Sequence, residues 1–351
     1  MMLIKTSILK TRLHFIASFL FIAAIVFATS CSPSPEVIKL QGATMGTTYH
    51  ITIASPSDRL SSDILQQQVD IELKKINQLM STYIADSELS RFNQAPINDW
   101  FSLSAETFKV VRYSLTLSAQ TEGQFDITIG PLINLWGFGA KGEQALPNEA
   151  LIAAAKQQVG WQFLMLDEQH QKIKKTRPVA INLSAVAKGY GVDHIANVLD
   201  EQGVEHYLVE IGGEIRVKGL NKNQQPWKIG IETPSLWQSG VQKVVALNNK
   251  AVATSGDYRN FFEKEGVKYS HTIDPVTGKP VTHSIASLTV IHDSAMQADA
   301  LATAFNVMGP DKALSMAKVY NIPLYIILYD GDDYKTLVSP SFKPYLAVIP
   351  Q

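Results

Sequence analysis

The spacing of apolar and polar residues along the chain predicts a mixture of amphipathic helices and short strands. Apolar side chains recur at near-helical intervals through residues 60–79, after a polar segment that can cap a helix. Residues 285–291 alternate and are rich in β-branched side chains, which is typical of a half-buried strand. The apolar seam predicted for the first helix consists of Ile64, Val69, Ile71, Leu73, Ile76 and Leu79.

The predicted strands and helices are mixed without strict alternation, which indicates an α+β fold. Further helices are predicted over residues 86–93, 103–121, 145–160, 192–202, 295–308 and 311–320. Strands are predicted over residues 50–54, 163–166, 172–175, 179–183, 206–211, 214–219, 227–231, 242–247, 324–329 and 346–348. The two strands between residues 227 and 247 are expected to extend the main sheet.

The helix predicted over residues 295–308 carries the most informative polar side chains. Ser294 and Gln297 fit a capping box, and Gly309 with the proline after it supplies the stop. Asp299 and Thr303 share one face of this otherwise apolar helix. A carboxylate on a packed helix needs a partner, and Mg²⁺ binds carboxylate and hydroxyl oxygens. The spacing is therefore compatible with a cation site, and it is equally compatible with an Asp299 that faces solvent or bonds a backbone amide.

Two other segments are typical of backbone that approaches a ligand. Residues 179–193 pass from a predicted strand through small residues into a helix, where free N–H groups and Lys188 would attract an anion. The segment lacks the glycine spacing of a phosphate loop. Residues 123–139 interleave glycines and aromatics, which suits either a flat ligand or a bulge beside a core aromatic residue.

The N-terminus is predicted to be a targeting segment. Basic residues precede an apolar run over residues 15–28 that is short for a membrane span, and Cys31, the only cysteine, follows it. The arrangement resembles a bacterial lipobox, with a plain secretory signal and an incidental cysteine as the alternative. The predicted organisation is a lipoprotein signal peptide over residues 1–30, a lipidated tether over 31–40 and a folded domain over 41–351. In either case the mature protein is expected to be exported.

Composition and charge narrow the classes of function. The chain has 31 Lys and Arg against 32 Asp and Glu, and no segment combines basic with aromatic residues, so nucleic acid is not an expected partner. Neither a Pro/Ser-rich linker nor a charge run divides the chain after residue 40. We therefore expect one unit with two lobes.

Eight short motifs, each weak alone, together resemble the ApbE family in content and order. They are MGTTY at residues 45–49, MSTY at 80–83, FDITIGPL at 125–132, AKGYGVD at 187–193, IGG at 211–213, TSGDY at 254–258, HTIDP followed by TG within 271–278, and ADALAT at 298–303. The family comprises bacterial FAD:protein FMN transferases, formerly labelled thiamine-biosynthesis lipoproteins.

The resemblance implies a two-lobed α+β fold, related to the T-fold, with mixed or antiparallel sheets flanked by helices. It implies Mg²⁺-dependent transfer of the FMN part of FAD to a Thr or Ser hydroxyl of an acceptor protein, with release of AMP. Cleaving a pyrophosphate needs charge neutralisation and an in-line nucleophile, which agrees with the residue types present. FAD is thus the expected substrate and Mg²⁺ the expected cofactor.

The resemblance also assigns roles to individual residues. The metal ligands would be the side chains of Asp299 and Thr303 and the carbonyls of Ala185 and Ala302. His271 would be the base that acts on the acceptor hydroxyl, with Asp299 as the second catalytic residue. The FAD contacts would be Met45, Tyr83, Gln124, Phe125, Asp126, Asn182, Lys188 and Ile273. Asn182 departs from the aspartate common in the family, so its partner on the dinucleotide is open.

The implied partners are membrane proteins of a bacterial cell. Acceptors would be proteins such as subunits of Na⁺-translocating NADH:quinone reductase or Rnf-type complexes. Lipidation of Cys31, including palmitate, would anchor the protein, with the periplasmic side of the inner membrane as the expected location. Two alternatives remain: an FAD pyrophosphatase that yields FMN and AMP, and a non-enzymatic exported flavin-binding lipoprotein.

Overall fold

The computed structural model of the protein describes residues 37–57, 60–139, 146–234, 240–256, 261–264, 266–331 and 333–346. The helices within them are α1 (Ser62–Met80), α2 (Glu88–Gln94), α3 (Ala105–Gln120), α4 (Gly130–Leu135), α5 (Glu149–Lys156), α6 (Ala187–Glu201), α7 (Ala295–Met308) and α8 (Pro310–Val319). The strands are β1 (Val37–Thr44), β2 (Thr47–Ala54), β3 (Phe101–Ser102), β4 (Leu164–Asp167), β5 (Lys172–Lys175), β6 (Tyr207–Ile211), β7 (Glu214–Lys218), β8 (Trp227–Glu232), β9 (Val241–Leu247), β10 (Lys250–Gly256), β11 (Phe261–Lys264), β12 (Val267–Ser270), β13 (Ile273–Asp274), β14 (Lys279–Pro280), β15 (Ile285–His292), β16 (Leu324–Asp330) and β17 (Asp333–Val338). The predicted signal peptide and Cys31 lie outside the described residues.

The main sheet has eight strands in the order β1-β2-β6-β7-β10-β15-β16-β17. All neighbours in it pair antiparallel, and the register places Val252 of β10 opposite Ile291 of β15. A three-stranded sheet in the order β3-β5-β4 and three two-stranded ladders account for the other strands in the described ranges. The predicted α+β class, with antiparallel sheets flanked by helices, is confirmed.

The strand predicted at residues 285–291 is present as β15, but its predicted half-burial is wrong, because β15 lies at the centre of the core. Leu288 and Val290 pack in a cluster that includes Phe305 of α7. On the other face Ile291 packs in a cluster with Trp227 of β8. All of residues 285–291 are buried, because the strand is covered on both faces and the apolar alternation therefore has no solvent side.

The hairpin formed by β8 and β9 does not extend the main sheet as predicted. Its strands pair only with each other among the described residues. Trp227, Ile229 and Ile231 alternate inward, and they pack with Val252 and Ile327 of the main sheet. The hairpin is therefore a second layer, which the period-two pattern permits equally well.

The helix α1 was predicted in the right place with a partly wrong seam. Ile64 and Ile71 are 68% and 65% exposed. They lie outside the stripe that faces the core, because the buried positions repeat at intervals of three or four residues. The observed seam consists of Leu65, Val69, Leu73, Ile76 and Met80.

Several predicted boundaries also differ from the structure. The helix predicted over residues 145–160 is confined to α5, and residues 179–183 form no strand. Helix α6 begins at Ala187, ahead of the predicted residue 192. Residues 37–40, assigned to the tether, belong to β1.

The C-terminal part contains a strand that the sequence pattern did not predict. Residues 333–338 form β17, the edge of the main sheet, and Leu346 ends a 3₁₀ helix where a strand was predicted over 346–348. Residues 347 and 348 lie outside the described ranges. Within those ranges no helix combines the length and apolar character that crossing a bilayer requires.

Candidate active site

A cleft of about 640 Å³ opens where the main sheet meets the N-terminal end of α6 and one face of α7. Further walls are the 124–129 loop, the turn between β6 and β7, the end of β10 and residues 271–275. The residues predicted for the site that line it are Gln124, Phe125, Asp126, Asn182, Ala185, Lys188, His271, Ile273, Asp299 and Thr303. The fold therefore gathers segments that are far apart in sequence.

Three of the predicted site residues do not line the cleft. Tyr83 is 71% exposed, and Ala302 is buried at 1% exposure in the core cluster around α7. Met45 occupies a turn with φ of 49° and packs against α6, where a Cβ at Gly191 would lie 3.0 Å from Met45 Cε. The geometry of the cleft walls therefore does not by itself connect these residues to a ligand.

Asp299 is the buried carboxylate at the base of the cleft. The side chain is 6% exposed, its Oδ2 accepts a 2.9 Å hydrogen bond from the Gly189 backbone N–H, and its Oδ1 lies 3.6 Å from Lys188 Nζ. Burial raises the pKa of Asp299, while the Lys188 ammonium and the Gly189 amide act against that rise. The contact with a backbone amide that the sequence left open is therefore present, through Gly189. The other carboxylate oxygen faces the Lys188 ammonium.

Helices α6 and α7 approach closely enough for this contact because residue 189 is glycine. A Cβ at Gly189 would lie 2.3 Å from the Ala295 carbonyl oxygen and 2.8 Å from Asp299 Cβ. Any side chain would therefore force the helices apart. The approach brings the start of α6 against the face of α7 that carries Asp299.

Lys188 lies in the first turn of α6. The sequence pattern had placed it in a turn before a helix that begins at residue 192. Its Nζ is 3.2 Å from Glu214 Oε1 and 3.6 Å from Asp299 Oδ1. Burial on its own would lower the pKa of Lys188, but the two carboxylates raise it above the ordinary value. The ammonium is therefore a fixed positive charge between two acids.

Glu214 is a site residue that the sequence reasoning missed. It is the first residue of β7, its side chain is 5% exposed, and its Oε2 has no hydrogen-bond partner in the described part of the chain. Burial and then the charge of Asp299 raise the pKa of Glu214 to about 8, against the opposing effect of Lys188. An acidic residue directly after the Gly212-Gly213 turn was the available signal.

Asp193 fixes the start of α7, a positioning role that the sequence reasoning missed. Its Oδ2 accepts from Ser294 Oγ at 2.5 Å and from the Met296 N–H at 3.0 Å. Its Oδ1 accepts from the Ala295 N–H at 3.0 Å and from Arg216 Nη1 at 2.7 Å. A carboxylate from α6 thus caps the helix that carries Asp299 and Thr303.

Asp126 organises the loop that forms one wall of the cleft. Its Oδ1 accepts from the Thr128 N–H and Oγ1, each at 2.7 Å, and its Oδ2 accepts from the Trp161 N–H at 3.0 Å. Burial raises the pKa of Asp126, while these hydrogen bonds oppose the rise. Both oxygens are already used inside the protein, so the carboxylate has a structural role whatever its relation to a ligand.

Asn182 joins that loop to the segment that leads into α6. Its backbone N–H donates to the Ile127 carbonyl at 2.7 Å, and its Oδ1 accepts from the Ser184 N–H at 2.8 Å. The Nδ2 group makes no hydrogen bond to the described residues. An amide donor therefore remains for a ligand in the cleft that Asn182 lines.

His271 lines the cleft from the segment between β12 and β13. Its ring meets Phe138 edge-on, with ring centroids 6.3 Å apart. An imidazole at a cleft wall can take up a proton from a substrate hydroxyl. The structure therefore places His271 in the cleft wall, on a different element from Asp299.

The oxygen donors at Asp299 suit a hard cation that shares its coordination with a ligand. Among the described residues no group of three or more His, Cys, Asp or Glu could enclose a metal by itself. Thr303 and Ala185 line the same cleft, and the unpartnered Oε2 of Glu214 adds a carboxylate oxygen there. Mg²⁺ is commonly held by one or two carboxylates together with water and substrate phosphate oxygens, which this set fits.

Sequence comparisons relate most of the chain to a single family. A sequence model described as the ApbE family matches residues 45–326. The FAD:protein FMN transferase of Vibrio cholerae is 43% identical over 327 residues, which cover 93% of this chain and 98% of that protein. The FAD:protein FMN transferase of Haemophilus influenzae is 40% identical over 335 residues, which cover 93% and 97%.

Solved structures show the same relationship in three dimensions. Flavin transferase ApbE from Vibrio cholerae matches with a TM-score of 0.83 at 43% identity, over 89% of this chain and 100% of that chain. The apo form of Pseudomonas stutzeri flavinyl transferase ApbE matches with a TM-score of 0.83 at 35% identity, over 91% and 99%. The likeness therefore extends over most of the chain, and the family match over residues 45–326 includes the segments that form the cleft.

Proposed function

The chain belongs to the ApbE family, and from that premise we propose that it is an FAD:protein FMN transferase that releases AMP. The observation that carries the proposal is the cleft in which Lys188, Asp299 and His271 come together. Relatives named for this activity align over nearly their whole length. A cleft of about 640 Å³ is also in the range of sites that hold a cofactor-sized ligand.

The reaction is a phosphoryl-type transfer between two oxygens. The hydroxyl oxygen of an acceptor Thr or Ser bonds to the phosphorus on the FMN side of the pyrophosphate. The bond from that phosphorus to the bridging oxygen breaks, and AMP leaves with the bridging oxygen. Positioning and charge neutralisation supply most of the acceleration in such transfers.

His271 would take the proton from the acceptor hydroxyl. A neutral imidazole nitrogen can accept a proton from a hydroxyl group. Because His271 and Asp299 lie on different elements of the cleft wall, proton transfer and cation binding would fall to separate residues. Lys188, in the first turn of α6, would bind phosphate oxygens of the dinucleotide together with nearby backbone N–H groups.

We assign the Mg²⁺ site to the side chains of Asp299 and Thr303 with carbonyl oxygens of Ala185 and Ala302. When bound there, Mg²⁺ would neutralise charge on the pyrophosphate and on the departing AMP. The remaining FAD contacts proposed are Met45, Tyr83, Gln124, Phe125, Asp126, Asn182 and Ile273. Of these, Met45 and Tyr83 would have to be reached by parts of the dinucleotide that extend beyond the cleft lining.

Location and acceptor are further parts of the proposal. We propose that Cys31 is lipidated and holds the protein at a bacterial membrane, with the periplasmic side of the inner membrane as the expected side. Acceptors would be membrane-associated proteins with a flavinylation Thr or Ser, such as subunits of Na⁺-translocating NADH:quinone reductase or Rnf-type complexes. A tethered enzyme and a membrane-bound acceptor meet at high local concentration.

One experiment separates this function from its two alternatives. The protein is incubated with FAD, Mg²⁺ and an acceptor domain that carries a flavinylation threonine. Mass spectrometry of the acceptor should show an added FMN, and chromatography should show an equal amount of AMP. Free FMN with an unmodified acceptor would establish a pyrophosphatase instead. Unchanged FAD in the presence of Mg²⁺ would leave only a flavin-binding protein.

A further inference from the structure

Two buried carboxylates in the cleft share one ammonium. Lys188 Nζ lies 3.2 Å from Glu214 Oε1 and 3.6 Å from Asp299 Oδ1, and the two acidic side chains are 5% and 6% exposed. When both acids are ionised, they carry more negative charge than one lysine can neutralise. Because charges in a dry site are weakly screened, this excess attracts a further or a stronger cation.

Glu214 supplies an independent sign that the site is made for another ligand. Its Oε2 is buried and has no hydrogen-bond partner among the residues that the structure describes. A buried carboxylate oxygen without a donor is costly, so such an atom is typically completed by a ligand. Glu214 and Asp299 both line the cleft, within reach of the same lysine.

Lys188 also has room to leave. Its stem runs past the turn between β6 and β7, where a Cβ at Gly212 would lie 3.2 Å from Lys188 Cδ. The Lys188 side chain is also 28% exposed and lines the cleft, so there is open space for the ammonium on that side. A lysine side chain has a flexible four-carbon stem, so its ammonium can move several ångströms while the helix stays in place.

We propose that the Lys188 ammonium and a divalent cation compete for the same two carboxylates, Glu214 and Asp299, so that cation binding releases Lys188 into the cleft. Glu214 is thereby a second acidic residue of the metal site. A divalent cation neutralises both acids and repels the ammonium, which becomes available to an anion such as a phosphate of the dinucleotide. The role given to the anion rests on the proposed function; the competition itself does not.

The first test measures cation binding alone. Mn²⁺ is titrated into the full-length protein without FAD, and free Mn²⁺ is followed by electron paramagnetic resonance. Lys188→Met should bind Mn²⁺ on the order of tenfold tighter, because the competing charge is gone. Glu214→Gln should bind about 10- to 100-fold more weakly. Lys75→Met, which removes a lysine paired with Glu106 outside the cleft, should leave the affinity unchanged.

An unchanged or weaker Mn²⁺ affinity in Lys188→Met overturns the competition. So does an unchanged affinity in Glu214→Gln, and so does the absence of measurable Mn²⁺ binding in the unsubstituted protein. Each result refers to the cation without FAD, so none depends on flavin transfer.

The second test needs no substitution. The unsubstituted protein is labelled briefly with acetic anhydride, with and without Mg²⁺, and the acetylation of each lysine is quantified by mass spectrometry. Acetylation of Lys188 should rise severalfold with Mg²⁺, because the released amine is more accessible to the reagent than an amine held between two buried carboxylates. Acetylation of Lys75 should stay constant. Equal or lower labelling of Lys188 with Mg²⁺ overturns its release.

These outcomes can be told apart from a failure of the transferase proposal. If Lys188 responds to the cation and the acceptor gains no FMN, the transferase proposal fails and the competition stands. If the acceptor gains FMN and Lys188 does not respond, the competition fails alone.

Discussion

The backbone N–H of Gly189 donates a 2.9 Å hydrogen bond to Oδ2 of Asp299, and this contact joins the start of α6 to the middle of α7. It links the N-terminal end of one helix to the carboxylate that the other brings to the cleft. The cleft geometry thus depends on how closely two helices pack, and that distance is set by the missing side chain of residue 189.

Gly189→Ala should separate the two helices and damage the site. The added Cβ would meet the Ala295 carbonyl oxygen at 2.3 Å, so the backbone must shift. We expect the free energy of unfolding to fall by roughly 1–3 kcal/mol, as in other overpacked cores, and Mn²⁺ affinity to fall with it. Denaturant unfolding and Mn²⁺ titration measure the two effects.

Gly130→Ala is the matched control. Its added Cβ would meet only Asn182 Cβ, at 3.9 Å, which is an ordinary contact. Equal losses of stability in the two variants would show that close packing at residue 189 has no special role.

Asp193→Asn should weaken the cap of α7. An amide offers one acceptor oxygen in place of two, so some of the bonds from Ser294, the Ala295 and Met296 amides and Arg216 must be lost. We expect a loss of about 0.5–2 kcal/mol in unfolding free energy and a lower kcat for flavin transfer. Thermal unfolding and steady-state kinetics measure them.

Asp200→Asn controls for the general effect of neutralising an aspartate on α6. Its carboxylate accepts from Tyr207 Oη at 3.0 Å and Lys218 Nζ at 2.8 Å, away from α7. If Asp200→Asn lowers kcat as much as Asp193→Asn does, the cap does not position the catalytic face of α7.

The sequence predictions are accurate where the signal comes from residues that are neighbours in the chain. Helix α7 was predicted with both ends correct, because Ser294 accepts a cap bond from the Gln297 N–H and Gly309 stops the helix. Helix α6 begins earlier than predicted, since its N-cap Val186 makes no side-chain cap bond that a sequence pattern could reveal. A side-chain cap can be recognised from residues next to the helix end. Where a helix has no such cap, the sequence does not define where the helix starts.

The candidate site was predictable only where single residues carry the signal. Asp299 and Thr303 stand out as polar residues on an apolar helix. Glu214 does not, because its importance comes from burial beside Lys188, which depends on pairing between strands and on packing of α6. Non-local packing decides such cases.

Cys31→Ala should release the protein from membranes if Cys31 is the lipidation site. A thioether-linked lipid requires the sulfur, and alanine keeps the small side chain without it. The measurement is the distribution of the protein between membrane and soluble fractions of the producing cells, with Ser30→Ala as the control. Membrane association that persists in Cys31→Ala would refute the lipid anchor and leave the proposed reaction untouched.

Replacing Asp299 by alanine should abolish metal-dependent activity, whereas replacing His271 should slow flavin transfer without loss of ligand binding. Asp299→Ala takes away a charged oxygen ligand of the proposed Mg²⁺ site, so flavin transfer, FAD hydrolysis and the response to added Mg²⁺ should all be lost. His271→Ala takes away only the proposed base, so transfer should slow by roughly 10²- to 10⁴-fold while FAD and Mg²⁺ still bind. Single-turnover flavin transfer at a series of Mg²⁺ concentrations measures both variants, with fluorescence titration for FAD.

An Asp299→Ala protein whose rate responds to Mg²⁺ as before would remove Asp299 from the metal site. A His271→Ala protein that loses Mg²⁺ binding would place the imidazole at the cation rather than at the acceptor hydroxyl.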